Sequence, residues 1–310
     1  MPIRRPVLYL FTVAILMSAC SSNRSASPDV SADITALGPP ETMQESSTTT
    51  LHVHDEGSVD ASLQSGLTDK AQDVSLVLDS SSYKSGPVEI KFTIEASMST
   101  PYVLSDYKPL HTMPLHLVVV KHDLSEYYHV HPTLINGSWL TEPLDLSDGF
   151  YRVIADFQVK DKSQLALGTD IMVGSSPMAM ANFDQESRVS VVDGYTITST
   201  GSTKHESDAV LSFLITKEGS PVSAVEPYLE ASGHLVSINP ATMAYTHLHP
   251  NTGVLDGVIT FKARPTDHGY SKYFLEVKLD GKVRLFTFLI DGMYIDALSV
   301  YCASLSFVSC

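Results

Sequence analysis

From Val74 to Gly292 the chain is written in short apolar or alternating runs separated by turn residues, and the series is written twice. VSLVLD, VEIKFTIEA, LHLVVVK, YYHVHP, FYRVIADFQV and DIMVG come first. VSVVDGYTITST, VLSFLITKEG, HLVSIN, YTHLHP, VITFKA, KYFLEVKL and VRLFTFLIDG follow, beyond the linker-like SSPMAMANFDQES. Runs of period two expose one apolar face, which is stable in water only against a second layer. With 310 residues and 43% hydrophobic content, the chain has material for two such cores. The pattern predicts an all-β protein of two tandem β-sandwich domains at residues 73–175 and 188–292, with a linker at 176–187 and a tail at 293–310. A single eight-stranded barrel matches the duplication less well.

The two halves are copies of one module. VEIKFTIEA parallels VLSFLITKE, Lys108-Pro109-Leu110 parallels Glu226-Pro227-Tyr228, and the run from Gly149 to Asp156 resembles that from Gly269 to Glu276. At the centre of each copy stands His-x12-His-x-His-Pro, once as HLVVVKHDLSEYYHVHP from His116 and once as HLVSINPATMAYTHLHP from His234.

That spacing reads as a hairpin, with Leu115 to Lys121 as one strand, a turn within Lys121 to Ser125, and Glu126 to His131 as the return. Side chains alternate along a strand, so His129 and His131 share a face. A loop of two or four residues brings His116 to that face, opposite either His129 or His131, whereas a loop of three sends it to the other side. Pro132 and Pro250 then end the return strands. Three imidazoles on one face form the usual ligand set for Zn²⁺ or Cu²⁺, so His116, His129 and His131 in one copy and His234, His247 and His249 in the other are the candidate metal ligands. Asp156 and Glu276 occupy matching places and are accessory candidates, as a fourth ligand or as groups orienting a ring. The competing reading is structural: the rings bond backbone carbonyls and pack on Tyr127, Tyr128 or Tyr245.

Other signals are weaker. Leu51-His-Val-His54 lies in a Ser-, Thr- and Pro-rich stretch read as a tether over residues 20–72. Met113, Met178 and Met180 are thioethers of the kind that suit Cu(I), and methionine at such places more commonly fills space. His111, His122 and His268 have no counterpart in the other copy and read as solvent-facing or locally satisfied. No Gly-x-Ser-x-Gly, phosphate-cradling loop or His-Glu-x-x-His helix is present, and no general base is identifiable beside the histidines. The expectation is therefore a non-enzyme, with water on a three-histidine zinc as the one hydrolytic alternative.

Residues 1–19 carry Arg4 and Arg5, an apolar run from Pro6 to Met17 too short to span a bilayer, and Met17-Ser18-Ala19 before Cys20. This resembles a bacterial lipoprotein signal peptide, with Met17 where that pattern usually has leucine. The resemblance implies cleavage before Cys20, lipid on Cys20, and anchoring at the extracytoplasmic side of the envelope, the outer membrane if the source has one. Twenty basic and 35 acidic residues give a net charge of −15, and loss of Arg4 and Arg5 makes it −17, which excludes nucleic acid as a partner and draws in cations. Cys302 and Cys310 permit a disulfide that no core requires.

The signature His116-Leu-Val-Val-Val-Lys-His-Asp-Leu124, followed by His129-Val-His-Pro132, resembles a family of uncharacterised bacterial extracytoplasmic domains, in full over about residues 85–175. Residues 205–292 depart from it at the turn, where Asn239-Pro-Ala-Thr242 stands. The resemblance implies immunoglobulin- or cupredoxin-like sandwiches in settings of copper or other heavy-metal handling. The expected function is buffering, delivery or sequestration of a divalent transition metal, copper slightly ahead of zinc, with a metal-trafficking or envelope protein as partner. A non-metal structural or protein-binding module is the alternative.

Overall fold

The computed structural model describes residues 65–183, 185–201, 209–250, 254–263 and 269–292. The leader, residues 20–64 of the tether with Cys20, His52 and His54, His268, and the terminal segment with Cys302 and Cys310 lie outside them, whereas Lys70–Ala71, at the end of the expected tether, form a short strand paired with Val74 and Ser75. Among the described residues the regular structure is strand, apart from one 3₁₀ turn at Leu104–Asp106, and no helix is long and apolar enough to cross a membrane.

The first module's longer strands are β1 (Val74–Leu78), β2 (Lys91–Ala96), β3 (Leu115–Lys121), β4 (Tyr127–Val130), β5 (Ser138–Leu140), β6 (Gly149–Val159) and β7 (Leu165–Val173). In the second they are β8 (Val189–Val192), β9 (Tyr195–Gly201), β10 (Ala209–Lys217), β11 (His234–Ile238), β12 (Tyr245–Leu248), β13 (Val258–Ala263), β14 (Tyr270–Leu279) and β15 (Lys282–Asp291). One sheet of each module carries the histidines, in the order β4-β3-β6-β7 and β12-β11-β14-β15, so the duplication extends to topology. The facing sheets, β1-β2-β5 and β8-β9-β10-β13, also correspond, since β5 pairs with β2 as β13 pairs with β10. The chain is two tandem β-sandwiches.

Each sandwich closes over its own core. Phe92, Trp139, Tyr151 and Phe157 fill the first, with the Trp139 indole N–H donating to the Tyr107 hydroxyl (2.9 Å), and Phe213, Phe261, Phe286 and Phe288 fill the second. These aromatic side chains each remove a large apolar area from water, which makes each a large stabilising contribution to its module.

A third core lies between the modules. Val118, Val120, Leu124 and Ile154 of the first pack with Val236, Ile238, Met243, Tyr245 and Phe274 of the second. Tyr127 stacks on Phe274 with ring centroids 4.1 Å apart and 7° between planes. The histidine sheets thus have both faces covered, one by their own sandwich and one by the other module. This explains why LHLVVV in β3 is buried at every position and does not alternate.

Candidate metal centre

Both hairpins close with four-residue loops. In the first, the Lys121 N–H bonds the Glu126 carbonyl (3.0 Å), and Leu124 turns the chain with φ 58°. In the second, the Asn239 N–H bonds the Ala244 carbonyl (2.9 Å), the Asn239 side-chain oxygen takes the N–H groups of Ala241 and Thr242, and Met243 has φ 61°. Leu117 therefore pairs with Val130 and Val118 with His129, which places His131 across from His116 at the next register step. The same strand pairing sets His116 opposite Asp156 and His234 opposite Glu276.

A tight turn ahead of each hairpin fixes the first ring. Leu110-His111-Thr112-Met113 and Tyr228-Leu229-Glu230-Ala231 close with reciprocal backbone bonds and positive φ at both central residues, the geometry of two-residue hairpin turns. The Leu110 carbonyl accepts from Nε2–H of His116 (2.9 Å) and the Tyr228 carbonyl from Nε2–H of His234 (3.0 Å). A carbonyl only accepts, so in both rings the proton sits on Nε2 and Nδ1 keeps its lone pair.

The second ring is fixed from the other module. Nδ1–H of His129 donates to Oε2 of Glu276 (2.6 Å), and Nδ1–H of His247 donates to Oδ2 of Asp156 (3.2 Å). Asp156 also accepts from Gln164 (2.7 Å) and from the Tyr245 hydroxyl (3.0 Å). Three donors are the complement of an ionised carboxylate. The lone pairs of His129 and His247 are left on Nε2.

These free nitrogens converge. Nδ1 of His116 lies 3.0 Å from Nε2 of His129 and 3.1 Å from Nε2 of His131, and Nδ1 of His234 lies 3.4 Å from Nε2 of His247. Within each triad the ligand nitrogens all fall within 4.8 Å of one another. Tetrahedral coordination at 2.0–2.1 Å from a metal puts nitrogens about 3.3 Å apart, so the set fits a Zn²⁺- or Cu²⁺-sized ion. A shared proton joins two lone pairs, whereas one cation satisfies three. Among the described residues Nε2 of His249 is buried with no hydrogen-bond partner, as a ligand atom would be.

Burial favours the neutral form, the one that binds metal, in His116, His131, His234, His247 and His249. His116 is pushed down to about 4, first by burial and then by the neighbouring His129. Burial likewise lowers His131 to about 3 and His234 to about 4, and holds His247 and His249 well down. For the Asp156 carboxyl, burial acts upward against its donors.

Each triad comes from one module, and the two stand side by side. Ring centroids of His116 and His247 are 5.1 Å apart, those of His129 and His247 5.2 Å, and those of His129 and His234 6.0 Å. Six histidines form one cluster at the edge of the inter-module core. Asp156 and Glu276 each serve the other copy's ring, because docking turns the two equivalent faces toward each other.

Sequence reasoning missed His111, whose ring stacks on His249 with centroids 3.3 Å apart and lies 6.0 Å from His234. His122 is buried and does not face solvent, with Nε2 3.1 Å from Asp170 and Nδ1 without a hydrogen-bond partner among the described residues. Met178 and Met180 are exposed.

A family model described as "Domain of unknown function (DUF8832)" matches residues 68–169 and again 190–292. No curated protein matches the chain. Among solved structures it is similar to invasin, a bacterial integrin-binding protein, at 12% identity over 70% of this chain and 38% of that one (TM-score 0.23). It is similar to part of a 1.5-MDa bacterial ice-binding adhesin at 10% identity over 72% and 65% (TM-score 0.22), and to the D0-D1 domain of intimin at 13% identity over 71% and 99% (TM-score 0.18). The chain thus spans less than two thirds of the length of the first two.

Proposed function

The chain belongs to the DUF8832 family through both of its modules, and from that premise we propose that it is a non-enzymatic metal-binding protein of the cell envelope. It holds divalent copper or zinc in the histidine cluster between its modules and serves to buffer, deliver or sequester that ion. The observation that carries the reading is the convergence of ring nitrogens in which four of the six rings have their protons committed elsewhere: to Leu110, Tyr228, Glu276 and Asp156. Carbonyl and carboxylate partners of this kind are what orient metal-bound histidines. An all-imidazole set favours Cu²⁺ over Zn²⁺ by intrinsic affinity. Lipid on Cys20 would hold the protein at the membrane, and the net negative charge would raise the local cation concentration.

Calorimetric titration of the full chain with Cu²⁺ and Zn²⁺ tests this. Two ions per chain are expected for the parent, one for His129→Ala/His131→Ala, one for His247→Ala/His249→Ala, and none when all four are replaced. Each bound ion should also raise the melting temperature, since the unfolded chain does not hold the site. Absence of binding in the parent sinks the proposal.

A second reading has its own observation. The His129–Glu276 and His247–Asp156 pairs join the modules without any metal, as a structural or protein-binding surface module requires. On that reading the four-histidine variant melts lower than the parent, while added metal changes neither.

A further inference from the structure

We infer that each module completes the metal site of the other: Glu276 of the second module is the positioning residue of the first triad, and Asp156 of the first module that of the second. The inference rests on the metal-binding reading above and adds what that reading leaves open, namely which residues govern which ion.

The exchange is built into the fold. Strand register sets Asp156 beside His116 and Glu276 beside His234, so by sequence each acid belongs with its own triad. The hydrogen bonds run otherwise, from His129 to Glu276 and from His247 to Asp156, with these side chains at most 12% exposed. In that dry setting a carboxylate fixes which ring nitrogen carries the proton and raises the basicity of the other. Loss of the carboxylate lets the ring turn or change tautomer and withdraws the ligand. Because each carboxylate arrives on the other module's sheet, the ligand sets are complete only while Val118, Val120, Val236, Ile238 and Phe274 stay packed. An ion in either triad therefore acts as a clasp between the modules.

The test uses full chains that retain one triad. In His247→Ala/His249→Ala, which keeps the first triad, Glu276→Gln is expected to weaken Cu²⁺ binding 10- to 100-fold and Asp156→Asn to change it less than threefold. In His129→Ala/His131→Ala the two effects should exchange. The Cu²⁺ electron paramagnetic resonance spectrum should change only with the crossed substitution, and Glu276→Asp or Asp156→Glu should restore part of the affinity. A substitution that merely loosens packing would leave the spectrum of the remaining bound ion unaltered. Should a variant fold poorly, the spectrum recorded at saturating Cu²⁺ on its folded fraction still distinguishes the cases. Equal weakening of both triads, or weakening only of the acid's own triad, overturns the exchange while leaving metal binding intact. A parent that binds no metal overturns both.

Discussion

Phe274→Ala should destabilise the protein by about 3–5 kcal/mol, the range for removing a fully buried aromatic ring. Phe274 is only 2% exposed, yet it belongs to neither sandwich interior. Its ring lies flat on Tyr127 of the other module, with the Lys272 ammonium 5.5 Å from its centroid. The space left on truncation is bounded by two β-sheets that cannot collapse into it without shifting whole strands, so the cost should fall at the upper end. Urea denaturation followed by fluorescence of Trp139, the single tryptophan, reads the loss. Metal affinity should fall at both triads together, since both depend on docking, which distinguishes this variant from the one-sided acid substitutions. A change below about 1 kcal/mol would mean that the inter-module core contributes little and that the modules act as separate beads.

The local half of this architecture was legible in the sequence. The histidine spacing permits one shared face if the loop is even, and both hairpins have four-residue loops with the three rings on one side. The docked half was not. A free sandwich should show polar residues on its outer sheet face, and Val118-Val119-Val120 breaks that alternation. The unbroken apolar run was the one available sign that β3 is covered twice. The carboxylate exchange had no sequence signal at all, because Asp156 and Glu276 sit at equivalent places and equivalence assigns each to its own copy. His111 escaped for a related reason: Leu229 stands at its counterpart, and where a turn side chain points is decided by what docks against it.

The metal-free protein should lose stability steeply as pH falls from 6.5 to 4. Histidines in the unfolded chain titrate near 6.5, whereas in the folded protein His116 and His234 do so at about 4 and His131 at about 3. Above pH 6.5 the rings are neutral in both states and contribute no pH dependence. Between 6.5 and 4 the unfolded chain binds protons that the folded protein refuses, so unfolding becomes easier with each step down. Below about 3 these three rings are protonated in both states, while His247 and His249, held lower by burial, continue to refuse protons. Protonating Asp156 acts in the opposite direction, since burial raises its carboxyl in the fold and its proton uptake offsets part of the loss. For each fully buried ring the linkage amounts to about 3 kcal/mol, and two such rings approach the whole stability of an ordinary domain. Chelator-treated protein should therefore unfold in acid at urea concentrations it tolerates at pH 7.5, with the midpoint moving between pH 6.5 and 4. An Asn replacement of both His116 and His234 should make that profile shallower. A urea midpoint constant from pH 7.5 to 4 would show that these rings are not held neutral in the fold, and with that the proton-free ligand set would lose its physical basis.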